Sequence, residues 1–268
     1  MNIKAAYYYQ LDDHKKSIIM YYIILMVVYL LLLTTMTFSV STVQTTTYTG
    51  TSGVTEHTTV SGSFGGMEWA TIIFVFVAGC NAFKETFGML IQNGVSRKTL
   101  FISRCITAVS ISVIMATIGK VFLILFKLLT KISDGTLTCS SLYEQLYLKE
   151  AVGFGSFRLH AVSYIFDIFM YLCFMTLGYV ISLVYYRLNK SGKIALSVSI
   201  PVGLFLVLPI VDSAFTDGKI SKTIFKFLDF AFGVSSGHPV NAMITCFVGF
   251  FLLSLCSWLL VRKSTVHE

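Results

Sequence analysis

Phe83-Lys84-Glu85-Thr86-Phe87-Gly88-Met89-Leu90-Ile91-Gln92-Asn93-Gly94-Val95-Ser96-Arg97-Lys98 is a polar interruption between two very apolar runs. Phe83, Phe87, Leu90 and Ile91 fall at i, i+4, i+7 and i+8, which puts them on one face of a helix. Lys84, Glu85, Gly88 and Gln92 occupy the rest of its circumference. Asn93-Gly94 ends the helix, because glycine and asparagine enter the left-handed conformation at little cost. Ser96 is placed to cap the helix that follows, leaving Arg97 and Lys98 at the level of lipid headgroups. The stretch predicts a short amphipathic helix held at a membrane face, and such a helix touches something soluble.

The flanking runs belong to a chain of 268 residues that is 55% hydrophobic and 12% charged. Soluble domains carry about a quarter charged residues, so the composition excludes a soluble enzyme of this length. A bilayer core is crossed by about 20 apolar residues. On that criterion six spans are expected, at Ser17–Val40, Glu68–Phe83, Thr99–Phe126, His160–Tyr185, Ile194–Val211 and Asn241–Leu260. The second is short and is expected to continue into Lys84–Phe87. The fold class is therefore an all-α integral membrane protein, one transmembrane domain over residues 1–268, with the short helix between spans two and three.

Six spans put both termini on one side. Lys4, Lys15, Lys16, Lys84, Arg97, Lys98, Arg104, Arg187, Lys190, Lys193, Arg262 and Lys263 lie there, against Asp12, Asp13, Glu85 and Glu268. The opposite loops hold seven basic and eight acidic residues. The positive-inside rule then makes the termini and the 83–98 helix cytoplasmic. The net charge of +7 needs no nucleic-acid partner, since it sits where topology wants it.

Residues 1–16, with Tyr7, Tyr8 and Tyr9 before Asp12-Asp13-His14-Lys15-Lys16, read as a segment lying in the headgroup layer. The outer segments are residues 41–66, 127–159 and 212–240. Half of the 26 residues of Ser41–Gly66 are Ser or Thr, so that loop buries no core. Leu142, Leu146 and Ala151 recur at helical spacing and predict a surface helix. Ile220, Ile224, Phe225, Phe227, Leu228 and Ala231 among Lys222, Lys226 and Asp229 predict an amphipathic outer helix before span six. Pro201 and Pro209 free backbone carbonyls in span five, which is expected to pack inside the bundle. Ala108, Ser112 and Ala116 give span three a face for close helix packing.

Two ionisable residues fall inside spans, Lys120 and Asp167. Intramembrane charges mark functional sites and demand partners. At 1.5 Å per residue both lie roughly 9–10 Å below the outer boundary, on antiparallel spans, so a Lys120–Asp167 pair is geometrically reasonable. Lys120 snorkelling outward, with Asp167 bonded to a hydroxyl, fits as well. None of the six cysteines stands in a C-x-x-C spacing, and no metal site is expected.

The run Phe87-Gly88-Met89-Leu90-Ile91-Gln92-Asn93-Gly94-Val95-Ser96-Arg97-Lys98-Thr99 resembles the segment after the second span of bacterial ABC-2-type transporter permeases. Six spans, cytoplasmic termini and an amphipathic outer segment are similar to that family along nearly the whole chain. The resemblance implies a multi-pass permease subunit in a bacterial cell membrane, with 83–98 as the coupling helix seated in a separate ATPase subunit. It implies contacts through Glu85, Phe87, Leu90, Ile91, Gln92, Asn93 and Arg97, and makes residues 1–16 an interfacial connecting helix. A second permease subunit, identical or related, completes the transporter, and export is the commoner direction.

ATP and Mg would belong to the partner, because no G-x-x-x-x-G-K-[ST] occurs in this chain. No enzymatic activity and no cofactor are expected on this polypeptide. The long outer segment 127–159 departs from the family pattern. An ion-coupled secondary transporter using Asp167 is the alternative, since such proteins carry carboxylates within their spans. The outer loops hold no ligand cage, so peptide, lipid and drug cargoes fit equally.

Overall fold

No glycine or proline occurs between Ile3 and Thr42, and those residues form one helix, α1, 40 residues long. In this computed structural model, which describes residues 3–42, 62–64, 67–132, 137–147, 157–215, 218–235 and 237–262, helices dominate. They are α2 (Met67–Asn81), α3 (Lys84–Gln92), α4 (Arg97–Ile132), α5 (Leu142–Tyr147) and α6 (Phe157–Arg187). A broken rod follows, made of α7 (Lys190–Val202), a π-helical segment (Gly203–Val207) and α8 (Leu208–Phe215). Last come α9 (Lys219–Phe232) and α10 (Pro239–Arg262).

Five helical stretches among the described residues are long and apolar enough to cross a membrane: Ile3–Leu31, Met67–Gln92, Arg97–Leu129, Phe157–Arg187 and Pro239–Arg262. The chain is a multi-pass membrane protein. The remaining expected span, Ile194–Val211, falls on α7, the π segment and α8, none of which alone reaches membrane length.

Side-chain contacts fix the helix directions. Gln10 meets Ser103 and Tyr22 meets Met115, so α1 and α4 run the same way. Asp167 meets Lys120 and Arg104 lies over the Tyr179 ring, so α6 runs against α4. The closest packing is between α2 and α6. There Gly79 faces the Met175 carbonyl and Gly178 faces the Phe76 carbonyl, each without room for a Cβ. Backbones approach this closely in membranes only where small residues meet. The expected small-residue face of α4 is buried as well, with Ala108, Ser112 and Ala116 all in the interior.

Two expectations are corrected. Residues 3–16 are not a separate interfacial helix but the first turns of α1, whose buried face runs Ala6, Gln10, His14, Ile18, Tyr22 and Leu25. Polar groups on α4 hold that face upright: Gln10 Nε2 donates to Ser103 Oγ at 3.0 Å, and His14 Nε2 lies 3.1 Å from Arg104. Span two does continue through Lys84–Phe87, as expected, since the stretch long and apolar enough to cross runs Met67–Gln92, with a turn at Ala82-Phe83 before α3 begins.

The rod of α7 and α8 is not inside the bundle of this chain. No described residue of α7 is buried, and Ile194, Val198, Leu206 and Ile210 are all exposed. The π segment lies between the two prolines, with the Leu208 N–H bonding the Gly203 carbonyl.

At the other end, the outer segments are tied together. Gly62–Phe64 (β1) pairs in parallel with Leu137–Cys139 (β2). Residues 43–61 and Ala151 of the expected loop and surface helix lie outside the described residues. Ser141-Leu142-Tyr143-Glu144 opens α5 as a capping box, with the Ser141 N–H donating to Glu144 Oε2 at 2.7 Å and the Glu144 N–H to Ser141 Oγ at 3.2 Å.

The expected amphipathic helix is α9, whose Phe225, Phe227 and Phe230 are all exposed. Asp212 caps it by accepting the Ile220 and Ser221 N–H groups, both at 2.9 Å. Tyr147 of α5 donates to the Phe232 carbonyl at 2.6 Å. Burial pushes its phenol up to about 12, so it stays a donor across the neutral range.

Candidate functional site

Two places collect the polar groups that the sequence singles out. The first is α3 and the turn after it. Val95 N–H bonds the Leu90 carbonyl at 3.0 Å and Gly94 N–H the Ile91 carbonyl at 2.9 Å, with Gly94 at φ 74°. This is a Schellman ending, and buried Val95 and Leu90 supply its apolar contact. Ser96 caps α4 by accepting the Thr99 N–H at 3.2 Å. Open space surrounds Gly94, so Gly94→Ala tests the backbone conformation alone. Its thermal unfolding should show a loss of about 1–2 kcal/mol.

The apolar face of α3 is turned inward, and this corrects the expected contact set. Phe87 and Leu90 are 1% and 2% exposed, packed with Phe83, Ala6, Leu100, Tyr179, Leu183 and Val261. Phe83 stacks on Phe87 with ring centroids 4.6 Å apart, and Tyr186 sets its ring edge-on to both. Neither Phe87 nor Leu90 is free to meet a partner. Ile91 is half-buried against the same cluster. Gln92, Asn93 and Arg97 are exposed, joined by Met89, Gly94, Ser96 and Lys98. The Glu85 side chain lies outside the described residues.

Two bonds stiffen this exposed turn. Asn93 Nδ2 donates to the Met89 carbonyl at 2.8 Å, and Arg97 donates to the Arg262 carbonyl at 2.7 Å. The result is a polar knob anchored from below by aromatic rings.

The second place lies among α2, α4 and α6. Lys120 Nζ is 2.6 Å from Asp167 Oδ2 and donates to Ser163 Oγ at 2.6 Å. The structure thus brings Lys120 and Asp167 together, with Lys120 turned inward rather than snorkelling. A third ionisable group joins them, because Glu68 Oε1 stands 3.8 Å from the same ammonium. Sequence reading missed Glu68 because an acid in the first turn of a span reads as an interface residue. Offset along the spans gave no signal either, because Glu68 stands in the first turn of α2 and Asp167 well inside α6, and only the packing of those helices around Lys120 brings the two acids level.

The Thr71 hydroxyl, one turn below Glu68, meets Tyr21 Oη at 2.8 Å, and Tyr171 lies beside it. Lys127 and Glu144 form a further buried pair at 2.7 Å, farther along α4. In such an environment the charges hold α4 to α2 and α6, and any motion between these helices must exchange their partners.

A groove of about 920 Å³ opens between α1, α2 and the end of α6, lined by Asp13, His14, Asn81, Tyr185, Arg187 and Lys193 among others. No group of His, Cys, Asp and Glu suited to a metal ion occurs among the described residues. No protein-family model, no curated protein and no solved structure matches this chain.

Proposed function

We propose that this chain is the membrane-spanning permease subunit of an ATP-driven transporter of the ABC-2 type, an exporter in a bacterial cell membrane. Six spans, cytoplasmic termini and a second permease subunit belong to this reading, with the α7–π–α8 rod as span five. ATP and Mg reside on separate ATPase subunits. The observation that carries the reading is the α3 knob. It is a short capped helix, fixed through Phe83, Phe87 and Leu90 to α1, α4, α6 and α10, that exposes Met89, Gln92, Asn93 and Arg97 on the basic end of the bundle. A rigid lever of this kind transmits force from a soluble motor to the spans.

The test is co-purification from native membranes in mild detergent, comparing wild type with a Met89→Glu, Asn93→Asp double variant. Both positions are exposed, so the variant should stay folded, losing about 1 kcal/mol with the Asn93–Met89 bond. A stoichiometric subunit with ATPase activity accompanies the wild type and falls away in the variant. Wild type purifying alone, with transport unaffected by ATP depletion, would instead favour an ion-coupled secondary transporter. The Lys120–Asp167 contact inside the bundle is the feature that supports that second reading.

A further inference from the structure

The charge balance among α2, α4 and α6 does not close. Glu68 and Asp167 are both buried, 4% and 2% exposed, and one ammonium, Lys120, stands between them. Glu68 Oε2 and Asp167 Oδ1 have no hydrogen-bond partner. The groups facing them are Tyr21 from α1, with Tyr22 beside it, Thr71 from α2, Tyr171 and Ser163 from α6, and Glu144 and the Leu142 backbone N–H from α5. None of these brings a second positive charge, and Lys127 is already paired with Glu144. A buried, uncompensated carboxylate takes up a proton rather than stay charged. A metal cation is disfavoured, because the ammonium already fills the place between the two acids.

We propose that Glu68 is a proton-binding site within the membrane, holding a proton while Asp167 stays ionised against Lys120. The assignment to Glu68 follows from distance, since Asp167 has the ammonium at 2.6 Å and Glu68 only at 3.8 Å. Loss of that proton leaves Glu68 charged and competing with Asp167 for Lys120, which moves the grip of α4 from α6 toward α2. The site is thus a proton-controlled latch, and it stands whether or not an ATPase drives the protein.

Infrared spectroscopy of the full chain in lipid nanodiscs reads this directly, through the carbonyl stretch of a protonated carboxyl group and its shift in D2O. At neutral pH the wild type shows the band, and alkaline titration removes it. Glu68→Gln deletes it without lowering the melting temperature, because glutamine imitates the neutral acid. Asp167→Asn also deletes it, since Glu68 then ionises against Lys120. A band that survives Glu68→Gln, or is absent from wild type, overturns the proposal. So does a Glu68→Gln chain that fails to fold, since a neutral isostere must be tolerated where the acid is neutral.

Discussion

Gly178→Leu is expected to yield no monodisperse protein, and Gly178→Ala a bundle weakened by about 1–3 kcal/mol. The reason lies in what a side chain would meet. A Cβ at Gly178 overlaps the Phe76 carbonyl and comes within 3.0 Å of the Cys80 backbone nitrogen, and neither can swing aside as a side-chain tip does. Gly79 faces the Met175 carbonyl in the same way, so Gly79→Ala should behave alike. Both substitutions force α2 and α6 apart along the seam that also carries Glu68 and Asp167. Gly119→Ala is the control, because nothing lies within 4 Å of a Cβ there. Thermal unfolding followed by size exclusion separates the cases. A Gly178→Ala protein as stable as the Gly119→Ala control would mean that the helices do not cross where described.

The second large effect concerns Lys120. Removing one member of a buried ion pair costs about 3–5 kcal/mol, and here Lys120→Met leaves Asp167 beside a second acid with no cation, so that it must take up a proton at that cost. The variant is expected to lose most of its stability, measured by chemical or thermal unfolding in detergent. Adding Asp167→Asn to Lys120→Met should restore a large part of it, because both partners are then neutral. A Lys120→Met chain that unfolds like wild type would show that the ammonium reaches water and is no partner of Asp167.

Much of this architecture is legible in the residues. Hydropathy finds the five long helices because a bilayer demands apolar runs of fixed length. The ending of α3 is legible because Gly94 must take a positive φ and Ser96 stands one place before a helix. Counting depth along antiparallel spans brings Lys120 near Asp167.

What the sequence hides is direction and distance. The spacing of Phe83, Phe87, Leu90 and Ile91 defines an apolar face, but an apolar face looks the same whether it meets a partner or the bundle's own helices. Gly79 and Gly178 stand far apart in the chain with no repeat to mark them, so their meeting is set by tertiary packing alone. The outward position of α7 and α8 is hidden for a different reason. Lipid solvates apolar side chains as well as protein does, so a lipid-facing helix and a buried one are written in the same residues.

The upright α1 also bears on how the chain is made. Gln10 and Tyr22 find their partners, Ser103 and the Met115 carbonyl, 93 residues downstream, and His14 finds Arg104 after 90. At about 5–20 residues per second, a ribosome reaches that part of α4 several seconds after α1 has emerged. For that interval the polar groups on one face of α1 have no mates in the nascent chain. Pairing of that face therefore waits for α4, and α1 cannot reach its final contacts before residue 115 has been made.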